Sequence, residues 1–358
     1  MTDSNTLLVT STQEGIGKTA ITLALAKSAQ DAGHEVGYMK PKGTRLQSAV
    51  GKTRDEDPML ARELLGLDAE VHEMEPIVYS PTFVQEAIRG REDPDELRGR
   101  VVDNFQALSE GKDLMVVEGS DRLETGGIVD LTDADIADAL DARVLLVCGY
   151  ATAGDADEVL AAARSLGDRL AGVLFNGVTD AAMEELTDDV LPFLEGRGVP
   201  VFGALPRVQS LAGITVADLA RSLGADVLTA DASTDVHVER FTVGAMGGNS
   251  ALDQFRRTRD AVMISGGDRS EVQTAALEAS GIKVLLLTGG YRPASAVLGR
   301  AEDENVPILL VQSDTRTTID RVEDVLRSGR TRDAGTVERM QDLLDDGVDL
   351  DSLLGLDD

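Results

Sequence analysis

Short apolar runs alternate with longer amphipathic stretches along most of this chain. Over residues 6–225 the runs are LLVT, EVGYMKP, DLMVVEG, ARVLLVCG, LAGVLFNGV and VPVFGALP, most of them rich in Val, Leu or Ile. Stretches of helix length separate them, so the pattern predicts βαβ units and a parallel sheet with helices on both faces. Between the fourth and fifth runs, DADEVLAAARSLGDRL carries its apolar positions at helical spacing. An Asp/Ser/Thr-rich patch of low hydropathy, TADASTDVHVER, predicts a boundary near residues 229–240. A shorter series follows, in which TVGAMGG, AVMISGGD, KVLLLTGG and VPILLVQ read as strands. Helices are expected near 249–258, 270–280, 293–304 and 317–328. The predicted organisation is an α/β domain over 1–228, a smaller α/β domain over 229–330 and an acidic tail over 331–358. The tail reads as a short amphipathic helix with a frayed end.

Composition narrows the class. At 358 residues with 42% apolar content, the chain can bury more than one core. No apolar run is long enough to span a bilayer, and MTDSNT lacks the basic start of a signal peptide. A cytoplasmic protein with no membrane partner is the expectation. The single cysteine, Cys148, excludes disulfides within the chain and Cys-cluster metal sites, and its apolar run RVLLVCGY predicts a buried structural thiol. The formal charge is −30, with the acids scattered, Arg far more frequent than Lys and large aromatics scarce. That distribution suits a halophilic cytoplasm, where salt screens self-repulsion within a few ångströms. No basic stripe offsets it, so nucleic acid is not an expected partner.

The chemistry concentrates in residues 8–19, LVTSTQEGIGKT, where an apolar strand enters a loop ending Gly17-Lys18-Thr19 and a helix-forming run follows. Strand, loop and helix start in this order predict a phosphate-binding loop. Backbone N–H groups and the positive end of the helix dipole would surround an anion. Lys18 would reach the β- and γ-phosphates, and the Thr19 hydroxyl would enter a Mg²⁺ shell. A Gly-rich turn capping an ordinary helix is the competing explanation for the loop alone. Thr12 stands where GxxxxGK[ST] has its first Gly. Downstream, Lys40 precedes Pro41, acidic Asp55 and Asp57 lie in RDEDPMLARELLG, and Glu118 ends the apolar strand LMVVEGS. Mg²⁺ takes hard oxygen ligands, which Thr19, Glu118 and one of Asp55 or Asp57 supply by residue type. An unpartnered carboxylate at the end of so apolar a strand would be costly to bury.

Together these segments resemble the dethiobiotin-synthetase-like branch of P-loop proteins, whose loop GTxxxxGKT is one residue longer than the usual form. Against that pattern Thr12 is in place. The resemblance implies a P-loop NTPase-type fold over about residues 6–225, with ATP and Mg²⁺ as cofactors. It makes Thr12, Glu14, Gly15, Ile16, Gly17, Lys18, Thr19 and Ala20 the nucleotide cradle, with Lys18 and Lys40 catalytic and Asn176 toward the adenine. Thr19, Asp57 and Glu118 become the metal ligands; for Asn176 a plain turn residue is the alternative reading. Two departures stand out: Glu14 replaces a small hydroxyl residue near the expected second substrate, and Lys42-Gly43-Thr44-Arg45 reshapes the loop after Lys-Pro, with Thr44 keeping a hydroxyl. Gln13 replaces the signature Lys of partitioning ATPases, and a Cys/His glutaminase site of the cobyrinate-amidase kind is missing.

The second domain is similar to the DRTGG domain. Ser270 replaces the Thr after Asp268-Arg269, Leu287-Thr288-Gly289-Gly290 is intact, and Gly244-Ala245-Met246 and Ser313-Asp314-Thr315 fall in order. Gly267, Asp268, Arg269, Thr288, Gly289 and Gly290 are the candidate positions for a small-molecule effector or a subunit interface. The competing explanation is tight β-to-α turns with a local Asp268–Arg269 pair. The same two domains in sequence resemble the N-terminal part of long phosphate acetyltransferases, whose acetyl-transfer domain is not read in this sequence. The resemblance implies a Mg-ATP-binding regulatory protein, a homodimer, with a partner enzyme of acetate or acetyl-CoA metabolism. An ATP-dependent carboxylate-activating ligase is the alternative.

Overall fold

The first apolar runs pair side by side as a six-stranded parallel sheet. The computed structural model describes residues 5–44, 46–49, 52–245, 247–328 and 334–356. The strands are β1 (Asn5–Ser11), β2 (Val36–Met39), β3 (Leu114–Glu118), β4 (Arg143–Cys148), β5 (Leu170–Val178) and β6 (Val201–Pro206), in the spatial order β6-β5-β4-β1-β3-β2. Every pairing between neighbours in that order is parallel. Successive side chains point to opposite faces, and both sets are buried. Leu8, Met115, Val117, Val144 and Leu146 pack with Leu97, Val101, Ile136 and Val159 from helices on one side. Helix α1 (Lys18–Asp31) packs against β1, β2 and β3 and buries Ile21, Leu23 and Leu25. This is an α/β doubly covered sheet of the P-loop NTPase type. Because β1 and β3 are adjacent, their C-terminal ends, Ser11 and Glu118, open onto one edge.

The chain divides into two compact units, Met1–Val208 with Thr331–Asp358, and Gln209–Arg330. The division comes before the polar patch at 229–240. Residues 209–228 belong to the second unit because they pair there: Ile214–Thr215 runs antiparallel to His237–Val238, and β7 (Asp226–Val227) is antiparallel to Leu309–Leu310. In the second unit β8 (Arg240–Val243), β9 (Ala261–Gly266), β10 (Ile282–Thr288) and β11 (Ile308–Leu310) form a parallel set, with β7 at its edge beside β11.

The tail, expected to be a short amphipathic helix with a frayed end, is helical over most of its described residues. It forms two helices, Ala334–Gly347 and Leu350–Leu354, within the first unit. Val337, Met340, Leu344, Leu353 and Leu354 are buried, and the first of these helices lies along α1. Asn5 Nδ2 donates to the carbonyls of Leu354 and Gly355, and Arg143 Nη2 donates to Ser352 O over 3.3 Å. Apolar burial outweighs charge here, because the acids stay on the outer face.

Candidate functional site

The phosphate-binding loop owes its shape to two glycines. Gly15 (φ +67°) and Gly17 (φ +86°) occupy the left-handed region, which costs Gly little and other residues more. Gly17 is the N-cap of α1, and no side chain caps that helix. An uncapped helix start with orphan N–H groups is a ready anion site. Gly17 also permits a close approach: a Cβ there would lie 2.6 Å from Asn176 Nδ2. That amide donates to Ile16 O over 2.7 Å, so Asn176 braces the loop. Thr12 is buried and hydrogen-bonded to the Cys148 thiol, Ala20 is buried in the first turn of α1, and Glu14 is exposed. Burial pushes the Cys148 thiol up to about 12, which leaves it protonated and unreactive.

Three of the chain's seven lysines, Lys18, Lys40 and Lys42, are buried in this region. Lys18 Nζ donates to Ser120 O and to Ser11 Oγ (3.4 Å), and burial lowers its pKa against the attraction of Asp133 and Glu118. Thr19 Oγ1 donates to Glu118 Oε1 over 2.7 Å, while Tyr38 OH donates to Glu118 Oε2 over 2.8 Å. Lys40 Nζ pairs with Asp57, lies 2.9 Å from Asp55 Oδ2 and is 3.8 Å from Glu118 Oε1. Burial opposes the Lys40 charge, but Asp57, Glu118 and Asp55 hold its pKa above the ordinary lysine value. Burial and repulsion from Asp57 push Glu118 up to about 7, against the pull of Lys40 and Lys18. The structure therefore brings Lys18, Thr19, Lys40, Asp55, Asp57 and Glu118 together.

A second buried network lies beside the first. Asp133 accepts from Thr10 Oγ1 (2.6 Å) and from Ser120 N (3.1 Å to Oδ2), and pairs with Lys42 Nζ at 3.2 Å. Lys42 Nζ also donates to Thr125 O (2.7 Å) and to Leu131 O. Burial lowers the Lys42 pKa, with Asp133 opposing. Gly119 makes room for this network, since a Cβ there would sit 2.2 Å from Asp133 Oδ2. Asp133 thus ties the strand entering the loop to the turn whose carbonyl holds Lys18. Sequence reasoning missed Asp133, Ser120 and Tyr38. Lys42 carried a signal, as one of few lysines in a strongly acidic chain.

In the second unit the candidate residues lie at the C-terminal ends of β9 and β10. Thr288 Oγ1 bonds Thr315 Oγ1 (2.8 Å), and the amides of Gly289 and Gly290 are taken by Ser313 O (2.9 Å) and Val311 O (3.0 Å). Arg269 Nη1 donates to Gly244 O over 2.5 Å, so the arginine ties the end of β8 to the end of β9. Gly267 is required by a close approach, because a Cβ would lie 1.7 Å from Tyr291 O. Met246 of the Gly244-Ala245-Met246 segment and Arg45 of the loop after Lys40 lie outside the described residues.

Comparison with known proteins bears on the same two regions. The AAA domain family AAA_26 matches residues 5–215, and the DRTGG domain family matches 218–325. The phosphate acetyltransferase of Haemophilus influenzae is 27% identical over 350 residues, which cover 88% of this chain and 47% of that protein. The ATP-dependent dethiobiotin synthetase BioD of Frankia casuarinae is 35% identical over 177 residues, covering 47% of this chain and 69% of that protein. The chain spans about half the length of the phosphate acetyltransferase it matches. Among solved structures, the CBS and DRTGG domains of the regulatory region of Clostridium perfringens pyrophosphatase, complexed with diadenosine tetraphosphate, are 21% identical with a TM-score of 0.29. That match covers 35% of this chain and 53% of the other. With residues 5–215 matched, more than half of its length, the chain belongs to the AAA domain family of P-loop proteins, in its dethiobiotin-synthetase-like branch, and carries a DRTGG domain after it.

Proposed function

We propose that the chain is a Mg-ATP-binding regulatory protein that serves acetyl-CoA or acetate metabolism. One observation carries the nucleotide part: the uncapped start of α1 carries Lys18 and Thr19, and Thr19 is bonded to Glu118 beside Lys40. The α1 amides and Lys18 hold the β- and γ-phosphates. An arriving phosphate gives Lys18 a charged acceptor in place of the Ser120 carbonyl. Thr19, Glu118 and Asp57 are hard oxygen donors in one place and suit Mg²⁺, with Asp55 as the alternative acid. Among the described residues no group of acids holds a metal ion by itself; phosphate oxygens and water would complete the shell. When bound, Mg²⁺ neutralises phosphate charge. Glu14 is exposed, and Asn176, bonded to Ile16 O, is the residue assigned to the base. The DRTGG domain takes a small-molecule effector.

The acetate link rests on similarity to phosphate acetyltransferases over 88% of this chain or more in the two relatives from Haemophilus influenzae and Pseudomonas putida. Affinity capture from a cell extract in molar KCl, with and without Mg-ATP, tests it. Recovery of an acetate- or acetyl-CoA-converting enzyme in a nucleotide-dependent manner supports the link, and its consistent absence removes it.

A second reading, an ATP-dependent dethiobiotin synthetase, is favoured by the 35% identity to the Frankia enzyme. Incubation with 7,8-diaminopelargonate, bicarbonate and Mg-ATP separates the two. Cyclised product would put the enzyme first.

A further inference from the structure

Lys40 occupies an unexpected place for a residue of a phosphate site. Its ammonium sits inside a shell of carboxylates, and the side chains of Lys40, Asp55, Asp57 and Glu118 are all 3% exposed or less. Other donors fix those acids independently. Asp55 accepts from Asp57 N (2.9 Å, Oδ1) and from Thr44 N (2.9 Å, Oδ2). Glu118 is held by Thr19 and Tyr38. The carboxyl groups around this one ammonium outnumber it in a medium that screens poorly. The same oxygens are the hard donors a divalent cation takes. An ammonium and a divalent ion among them would repel each other at close range, so the two are mutually exclusive occupants.

We propose that Lys40 is a tethered stand-in for the divalent cation. It holds the Asp55–Asp57–Glu118 cluster together in the nucleotide-free protein and gives way when the metal arrives with phosphate. This rests on the Mg-nucleotide reading above. The ammonium keeps free divalent ions out of the site until a nucleotide brings both the ion and the phosphate charge that compensates the displaced lysine. Lys40 is then released toward the anion.

The test is titration of the nucleotide-free full-length protein with Mn²⁺, followed by electron paramagnetic resonance. Molar KCl suppresses binding to exposed acids. The wild type is compared with Lys40→Met and with the double variant Lys40→Met/Asp55→Asn. The double variant removes one positive and one negative charge, so the cluster keeps its net charge and remains foldable. Lys40→Met is expected to gain one Mn²⁺ site at least roughly tenfold tighter than any in the wild type, as loss of a close like charge predicts; the double variant, which also loses a carboxylate, should gain a weaker site that is still tighter than any in the wild type. Their melting temperatures should rise with MgCl₂ more than that of the wild type. Should Lys40→Met fail to fold, the double variant alone decides. Equal Mn²⁺ affinity in wild type and double variant overturns the proposal. Mg-ATP binding by the wild type is measured separately: its absence would sink the nucleotide reading, whereas equal Mn²⁺ affinities would sink only the role given to Lys40.

Discussion

Asp133 is the strongest single lever on the site. Replacing it with Ala removes the acceptor of Thr10 Oγ1 and Ser120 N and strips the buried Lys42 of its carboxylate. Breaking a buried pair from one side costs about 3–5 kcal/mol, because the other charge stays buried without compensation. Each hydrogen bond to a charged acceptor adds about 1.5–3 kcal/mol, but bonds sharing one acceptor do not sum. A loss of about 5 kcal/mol follows, or roughly 10–20 °C in the melting temperature of the first unit. Calorimetry on the full chain reads it, with Asp133→Ala/Lys42→Met as partner variant. The double variant should recover more than half of the loss, since it also removes the stranded charge. Salt should not rescue the single variant, because a buried pair is screened far less than surface charges.

The pH dependence has a definite sign. Burial already lowers Lys42, and Asp133 opposes that; without Asp133 the folded-state value falls further. Below the ordinary lysine value of about 10.4 the unfolded chain then binds more protons than the folded one, so stability rises with pH in that window. The rise should be steeper in Asp133→Ala than in wild type. A loss below about 1 kcal/mol, against the 3–5 expected of a broken buried pair, would refute the reasoning. So would a double variant no more stable than the single one.

Other outcomes follow from single positions. Gly17→Ala forces a Cβ to within 2.6 Å of Asn176 Nδ2 at a φ of +86°; it should cost about 1–3 kcal/mol and weaken nucleotide binding, read by urea unfolding and by titration. Cys148, buried with its thiol pushed up to about 12, should resist a thiol reagent at pH 8 in the native protein and react at once in urea; rapid native labelling would show that the strand ends open. With a net charge of −30, the melting temperature should rise by several degrees between 0.1 and 2 M KCl as the screening length falls. A flat or falling dependence would remove the halophilic reading of the composition.

The strands were legible because both faces of each sheet are covered, which writes them as runs of Val, Leu and Ile. The antiparallel pair Leu46–Ala49 with Lys52–Asp55 left no such trace, since LQSA and KTRD contain no run of apolar residues. Nor did Asp226–Val227, a two-residue strand defined only by its partner Leu309–Leu310. In the tail, Leu353 and Leu354 are hidden in sequence among Asp residues, yet they are buried. At the site, Lys18 and Thr19 sit in a contiguous motif, and Lys40 and Glu118 sit at the ends of apolar runs. Tyr38, Lys42, Ser120 and Asp133 show no local pattern, because their partners lie elsewhere in the chain. Tyr38 meets Glu118 across 80 positions, and Thr10 meets Asp133 across 123. Arg269 is similar: it bonds to the carbonyl of Gly244, 25 positions earlier.

The central claim is that the loop ending Gly17-Lys18-Thr19 binds Mg-ATP through Lys18. Isothermal titration of wild type and Lys18→Ala with Mg-ATP, side by side in molar KCl, tests it most directly. The account predicts saturable one-to-one binding by the wild type and a loss of at least roughly tenfold in the variant, as removal of a charged phosphate contact requires. No binding by the wild type, or equal binding by the two proteins, would contradict it.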